Sequence, residues 1–375
     1  MTKRIGIFTG GGDAPGLNAV IRAVVKYGSE QKGWKIFGIE EAFSGLYLPN
    51  KKVWELTAQN CGDLLTKGGT ILGTTNKGSP FDLDEQGVPH AAKIAQACKD
   101  LNLDGIIAIG GDGTQTIAYR FCQEYGINMI GVPKTIDNDL QNTDFTFGFW
   151  SAINVATDAL DRLHTTAESH DRIMFLEVMG RTAGWIALYA GLTGGADCIV
   201  IPEIPYCPDA FVKKIQQRKA AGRDFTIVIV AEGAKPKKEA KEAKEAKEAK
   251  EAKEELENLD ALARTSRKIS SGSASLILSS YIQERIDAEC RVTVLGHIQR
   301  GGSPVPFDRL LATRFGVHAV DLIEENNWGQ LVVLQDGDIR SVPLQSVAGA
   351  PREITPTEDL IATARKMGIY FGDES

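Results

Sequence analysis

Short β-branched runs alternate with helix-periodic segments along most of this chain, and that alternation constrains the fold more than any other feature. The runs read as strands are residues 4–8, 35–39, 105–109, 127–132, 172–178, 197–201, 226–231, 291–295 and 330–334. Helical patterns such as 17–27, 91–99 and 152–163 lie between them. Strands alternating with helices form right-handed βαβ units, whose parallel sheets are covered by helices on both faces. The expected class is therefore α/β, doubly wound. A chain of 375 residues is long enough for two domains, so two lobes flanking a central cleft are expected, with a first boundary near residues 146–150.

Charge and cysteine usage narrow the functional classes. The formal net charge of −7 argues against general nucleic-acid binding or a membrane-surface role. No run of about eighteen apolar residues occurs, so no membrane span is expected. The N-terminal MTKRIGIFTGGGD runs straight into a strand and a glycine loop, without the apolar core of a secretory signal. Six cysteines (Cys61, Cys98, Cys122, Cys198, Cys207 and Cys290) are scattered without a CxxC pair. That pattern suits reduced thiols in a cytoplasmic protein.

One segment stands apart. Residues 238–252 are five copies of Lys-Glu-Ala, all good helix formers but with no apolar stripe to bury. The period sets Lys four residues before Glu, the weaker orientation for a helical ion pair. A solvated, partly helical insertion without chemistry is expected, the alternative being a docking arm.

Three glycine loops punctuate the strand ends: TGGGDAPGLN from Thr9, GGTILGTTNK from Gly68 and IGGDGT from Ile109. Glycines before a helix let backbone N–H groups approach an anion, and the helix N-terminus favours negative charge. None matches GxGxxG or a Walker A sequence. Loops of this kind at the carboxyl ends of strands predict polyphosphate binding in the cleft. Asp112 is then a natural Mg²⁺ contact, since Mg²⁺ takes few carboxylates plus water and phosphate oxygens. GGDG alone also occurs in NAD kinases and lipid kinases.

A fourth stretch, GVPKTIDND, ends a strand with Lys134 and two carboxylates, Asp137 and Asp139, two residues apart. Crowded acids repel each other unless a cation, a metal or a shared proton accompanies them.

GGGDAPGLN, GGTILGT, IGGDGT, PKTIDND, SHDR, EVMGR, AEG and GHIQRGGSPVPFDR follow in this order between Thr9 and Arg309. Together they closely resemble the 6-phosphofructokinase family over nearly the whole chain except the Lys-Glu-Ala insert. The resemblance implies a two-lobed fold, with residues 1–147 (and about 300–345 returning) as the phosphoryl-donor lobe. Residues 148–299 would form the sugar-phosphate lobe, and 346–375 a C-terminal segment. It further implies transfer of a phosphoryl group from Mg-ATP to the 1-hydroxyl of fructose 6-phosphate. Asp137 matches the catalytic base, and Arg181 the transition-state cation. Thr135 and Asp139 match residues that position the sugar and support the base and Mg²⁺. Arg172, Arg291, His297 and Arg300 match phosphate and sugar contacts, as do Met179, Gly180 and Arg181 of EVMGR and Glu232 of AEG. Arginine suits that task because its planar fork binds phosphate oxygens in pairs. The donor side falls to Gly12, Asn76, Lys77, Gly111, Asp112, Gly113, Thr114 and Lys134, with Asp112 also the metal contact. In the family Arg172 and Arg291 reach a neighbouring subunit's site, which implies a homo-oligomer, a dimer or tetramer.

The phosphoryl donor has two pointers. A glycine at 113 goes with ATP, because an aspartate there would repel the nucleotide's inner phosphate. Lys134 is typical of pyrophosphate users, so a pyrophosphate-dependent enzyme is the nearest alternative. Asn76 stands where many ATP users carry an arginine, and Lys77 can serve as a point charge instead. Arg22 and Lys26 match an effector pocket, but His164, Ala221 and Asp224 replace its usual basic residues, so that pocket is expected to be weakened. A non-catalytic sugar-phosphate or nucleotide sensor is the rival from another class, and the intact Asp112, Asp137, Asp139 and Arg181 argue against it.

Overall fold

The structure, a computed structural model, describes residues 2–50, 52–237, 273–347 and 351–373. The Lys-Glu-Ala run, residues 238–252, lies outside the described residues. The chain divides into two compact units: Met1–Asn154 with Arg300–Arg352, and Val155–Gln299 with Glu353–Ser375. The return to the first unit thus extends to Arg352, and the remaining C-terminal residues belong to the second.

The first unit is built on a seven-stranded sheet. Its strands are β1 (Arg4–Thr9), β2 (Lys35–Ile39), β3 (Val53–Leu56), β4 (Gly105–Gly110), β5 (Met129–Pro133), β10 (Gln330–Gln335) and β11 (Asp338–Pro343), in the order β11-β10-β5-β4-β1-β2-β3. The central pairs are parallel, while β2–β3 and β10–β11 close the two edges as antiparallel pairs. Both faces are covered, as fully apolar strands require. In β4, Ile107 and Ile109 join one core with Val20, Ile21 and Phe315, whereas Ile106 and Ala108 join another with Phe8, Ile94 and Phe121.

The second unit holds a four-stranded parallel sheet: β6 (Ile173–Val178), β7 (Cys198–Val200), β8 (Thr226–Ala231) and β9 (Cys290–Val294), ordered β7-β8-β6-β9. Its core gathers Phe175, Val228, Val230, Phe211, Leu278 and Ile282. The C-terminal segment docks here, with the Tyr370 N–H donating to the Asp197 carbonyl at 3.0 Å.

Two edge strands escaped the sequence reading. β3 is only four residues long, and β11 carries charges, ends in proline and is exposed or half-buried throughout. Edge positions need no continuous apolar run. A local signal for β11 did exist: Asp336 and Gly337 both have positive φ and join it to β10, the Asp-Gly pairing typical of a tight hairpin. The predicted helix from residue 17 is α-helical only to Val24 and then widens into a π-type turn over Val25–Gln31.

Candidate active site

In the first unit, β1 leads outward to β2 while β4 lies on its other flank, so the sheet reverses its strand order between β1 and β4. Ligands of open α/β sheets bind beyond the carboxyl ends of strands at such a point. A cavity of about 440 Å³ lies there. The segments after β1, β4 and β5 all line it, and backbone hydrogen bonds tie their bases together. The Gly10 N–H donates to the Ile109 carbonyl at 2.9 Å, and the Lys134 N–H to the Gly110 carbonyl at 3.0 Å. The loop from Gly68 joins through the Gly11 N–H and Thr75 carbonyl at 3.0 Å, and the Thr74 hydroxyl and Gly11 carbonyl at 2.6 Å. Buried Asn18 holds that third loop, accepting from the Ile71 N–H at 2.9 Å and donating to the carbonyls of Lys67 and Gly68.

Every site residue expected in this unit lines the one cavity. Gly12, Asn76, Lys77, Gly111, Asp112, Gly113 and Thr114 are on its wall, as are Lys134, Thr135, Asp137, Asp139 and Arg300. Gly12 lets the Arg300 guanidinium approach closely, and a Cβ there would push that side chain aside. Gly113, in the first turn of the helix Asp112–Tyr125, faces open space, and a Cβ at that position would meet nothing within 4 Å.

The spacing of the two carboxylates has a simple structural cause. Asn138 between them has φ 51 and is buried, with its side chain turned inward. Its Nδ2 donates to the Asp144 carbonyl at 3.2 Å, and its Oδ1 accepts from the Thr146 N–H at 2.9 Å. With the middle residue anchored, Asp137 and Asp139 both present to the cavity. The Asp137 N–H also donates to the Thr135 hydroxyl at 3.0 Å, closing a tight turn.

The cations explain how this acidic cluster is tolerated. Lys134 is 4% exposed, and its ammonium donates to the Gly12 carbonyl. Burial, reinforced by the nearby Arg300 charge, pulls it down to about 8, while Asp137, Asp13 and Asp139 pull the other way. Arg300 is pinned by a 3.0 Å hydrogen bond from Nη1 to the Asp13 carbonyl. Burial raises Asp139 above the ordinary carboxylate range, and the Asp112 charge adds to that rise. Among the described residues no group of three or more His, Cys, Asp or Glu could hold a metal by itself. Asp112 with Asp139 instead makes a sparse, hard oxygen set, which fits Mg²⁺ shared with phosphate oxygens.

The sequence reading missed the apolar end of this cavity. Phe8, Ala42, Phe43, Tyr47, Pro80 and Ile117 line it. Phe43 is wedged between Phe8 and Phe121 at centroid distances of 4.4 and 4.6 Å, and Tyr47 stacks on His90 at 4.5 Å. Glu41 and Ala42 both have positive φ, two strained non-glycine residues in succession at the edge of that wall. No local motif announces such a wall, because its residues come from separate elements. Buried Gln115 was missed too: its Nε2 donates to the carbonyls of Gly110 (2.9 Å) and Val132 (3.1 Å), tying the ends of β4 and β5 together.

The second unit distributes its expected residues over two opposite edges of one sheet. Met179, Gly180 and Arg181 follow β6, Glu232 follows β8, and His297 lies just beyond β9, all at the carboxyl edge. The Glu232 N–H donates to the Val178 carbonyl at 2.9 Å and the Gly233 N–H to the Gly180 carbonyl at 3.1 Å. A Cβ on Gly233 would strike the Arg181 carbonyl, so that glycine permits the close approach of the two loops. Arg172 precedes β6 and Arg291 is the second residue of β9, both at the amino edge. Six residues of β6 separate the edges, about 20 Å of extended chain. At the amino edge both arginines bond one carboxylate, Glu289.

Comparison with known proteins finds matches over nearly the whole chain. A family model described as Phosphofructokinase matches residues 4–323. The chain is 47% identical to an ATP-dependent 6-phosphofructokinase of Chloroflexus aggregans, covering 99% of this chain and 98% of that protein. It is 44% identical to ATP-dependent 6-phosphofructokinase 1 of a Nostoc species, covering 99% of both. Among solved structures, Pichia pastoris phosphofructokinase in the T-state superposes with a TM-score of 0.76 at 32% identity. That match covers 92% of this chain but only 37% of that longer chain.

Proposed function

This chain belongs to the phosphofructokinase family, and on that premise we propose that it transfers the terminal phosphoryl group of ATP to the 1-hydroxyl of fructose 6-phosphate, giving fructose 1,6-bisphosphate and ADP. The observation that carries the choice of donor is the apolar wall of Phe43, Tyr47 and Ile117 in the same cavity as the glycine loops. A purine base has a use for that wall, and pyrophosphate has none. Open space at Gly113 supports the same choice. In this reading the glycine loops and the N-terminus of the helix Asp112–Tyr125 hold the polyphosphate through backbone N–H groups. Lys134 and Lys77 supply positive charge to it. Asp137 removes the proton from the 1-hydroxyl, and a carboxylate suffices because a loose transition state defers proton removal. Arg181 has the role of offsetting charge on the transferring group. Asp112, with Asp139, would hold Mg²⁺, which when bound neutralises part of the polyphosphate charge.

The sugar's 6-phosphate falls to Arg172 and Arg291, and its ring to Met179, Gly180, Glu232, His297 and Arg300. Because the arginines sit about a strand's length from the carboxyl-edge residues of the same sheet, they are best placed to serve a second copy of the chain, which makes the working enzyme a homo-oligomer. Among the described residues no helix is long and apolar enough to cross a membrane. The test is a purified-enzyme assay with fructose 6-phosphate, comparing ATP with pyrophosphate. ATP is expected to be the better donor, and a preference for pyrophosphate would overturn the reading in favour of Lys134 as the guide.

A further inference from the structure

Glu289 carries no motif, yet it is the residue on which both amino-edge arginines converge. The parallel register pairs Ile173 with Cys290, and the Ile173 N–H donates to the Glu289 carbonyl at 3.0 Å. This register sets Glu289 beside Arg172. Arg172 grips the carboxylate in bidentate fashion, Nε to Oε2 at 2.7 Å and Nη2 to Oε1 at 3.1 Å. Arg291 donates to the same Oε1 through Nη2, and its Nη1 turns back to the Cys290 carbonyl at 3.0 Å. The Nε–Nη2 edge of Arg172 is one that a guanidinium also offers to a phosphate. Protein acceptors therefore already occupy the donors that an incoming phosphate would use.

We propose that Glu289 is an internal competitor for phosphate at Arg172 and Arg291, so that the phosphate of the sugar substrate binds by displacing its carboxylate. This rests on the reading of the two arginines as phosphate contacts. The triad is built for exchange rather than permanence. Its side chains are 23%, 40% and 52% exposed for Arg172, Glu289 and Arg291, which leaves all three reachable by solvent and by an anion. Exposed ion pairs of this kind are weak and screened by salt. The Glu289 backbone is fixed by the strand, so only its side chain needs to turn away. A phosphate dianion brings more charge than one carboxylate to the same two forks. While the site is empty, Glu289 keeps the two guanidiniums from repelling each other and from capturing other anions. It therefore sets the affinity threshold for the sugar phosphate.

The test is Glu289→Gln, which keeps the shape and removes the charge, assayed alongside Arg172→Ala. The KM for fructose 6-phosphate is expected to fall roughly two- to fivefold in Glu289→Gln, the range of one exposed ion pair. The inhibition constant of inorganic phosphate, read as competition against the sugar phosphate, should fall in parallel, with kcat moving less than KM. Arg172→Ala should raise KM. Glu289→Asp, too short to bridge both arginines, should fall between wild type and Glu289→Gln, and it serves if the glutamine variant does not fold. A KM that rises or stays unchanged in Glu289→Gln, while Arg172→Ala raises it, overturns the competitor role and leaves the arginine reading intact. If Arg172→Ala leaves KM unchanged, the phosphate-contact reading itself is the one that fails.

Discussion

In the first unit the motif residues gather at the carboxyl edge of one sheet and line one cavity, whereas in the second they divide between opposite edges of a shorter sheet. The first arrangement relies on backbone. Glycine loops from separate strands bond to one another, so the cavity is assembled within one unit of a single chain. The second relies on long side chains at strand ends, and no bending of one sheet brings Arg172 beside Met179. On the proposed reading, in which both sets serve one recognition task, a second copy supplies the missing half. The difference shows that a motif's order along the chain says little about which motifs share a site.

The sharpest way to break this comparison combines the two regions. Asp137→Asn should lower kcat by roughly 10²–10⁴-fold, the range for losing a general base. Arg172→Ala should be impaired through KM. Mixing the two variants under exchange conditions should restore activity at up to about half the sites of mixed dimers, because one copy's intact base then meets the other's intact arginine. Absence of any recovery in mixed oligomers would place both residues in the same copy's site.

A somewhat smaller effect is expected within the first unit alone. Gly113→Asp introduces a carboxylate into open space, and an acid in a helix's first turn does not disturb folding. Like charges at about 4 Å cost on the order of 1–4 kcal/mol between water and a partly shielded site. ATP efficiency should therefore fall about fivefold to nearly a thousandfold, with pyrophosphate spared. Equal losses with both donors would show that position 113 does not discriminate them.

The smallest effect is one of pH. Lys134 titrates at about 8 in the fold, against an ordinary 10.5. Between those values the folded chain binds fewer protons than the unfolded one, so this group makes stability rise with pH over that window, and its burial cost is fully present below it. Its activity has the opposite sense: the ammonium is lost as pH climbs through about 8. kcat/KM for ATP should fall by about tenfold per pH unit above that limb, and the limb in kcat should lie higher, because bound polyphosphate favours the charged form. Lys134→Met should abolish the limb. Persistence of the limb in that variant would assign it to another group.

Much of this molecule is legible in local pattern. The strand–helix alternation points to the α/β class because side-chain period is a local property, read within a few residues of itself. The glycine loops and PKTIDND announce an anion site for the same reason: φ preferences, N–H exposure and charge belong to the residues named. What local pattern omits is non-local. The edge strands β3 and β11 depend on pairing partners, and only the Asp-Gly turn before β11 marks either of them locally. The wall of Phe43, Tyr47 and Ile117 exists only because the turn over residues 42–47 and the helix Asp112–Tyr125, far apart in sequence, fold to one cavity. Asn138, read as part of a motif, proves to be the inward anchor that aims its two acidic neighbours.

Residue types, spacing and charge were thus the sequence's own contribution: a phosphate-handling α/β chain of the phosphofructokinase family, with Asp137 and Gly113 already in view. Which of those residues meet was left to tertiary structure. Parallel register set Glu289 between Arg172 and Arg291, and burial beside Arg300 lowered the Lys134 pKa. Neither could be read from neighbours in sequence, since register and desolvation arise from contacts between segments far apart along the chain, formed only when the sheets assemble.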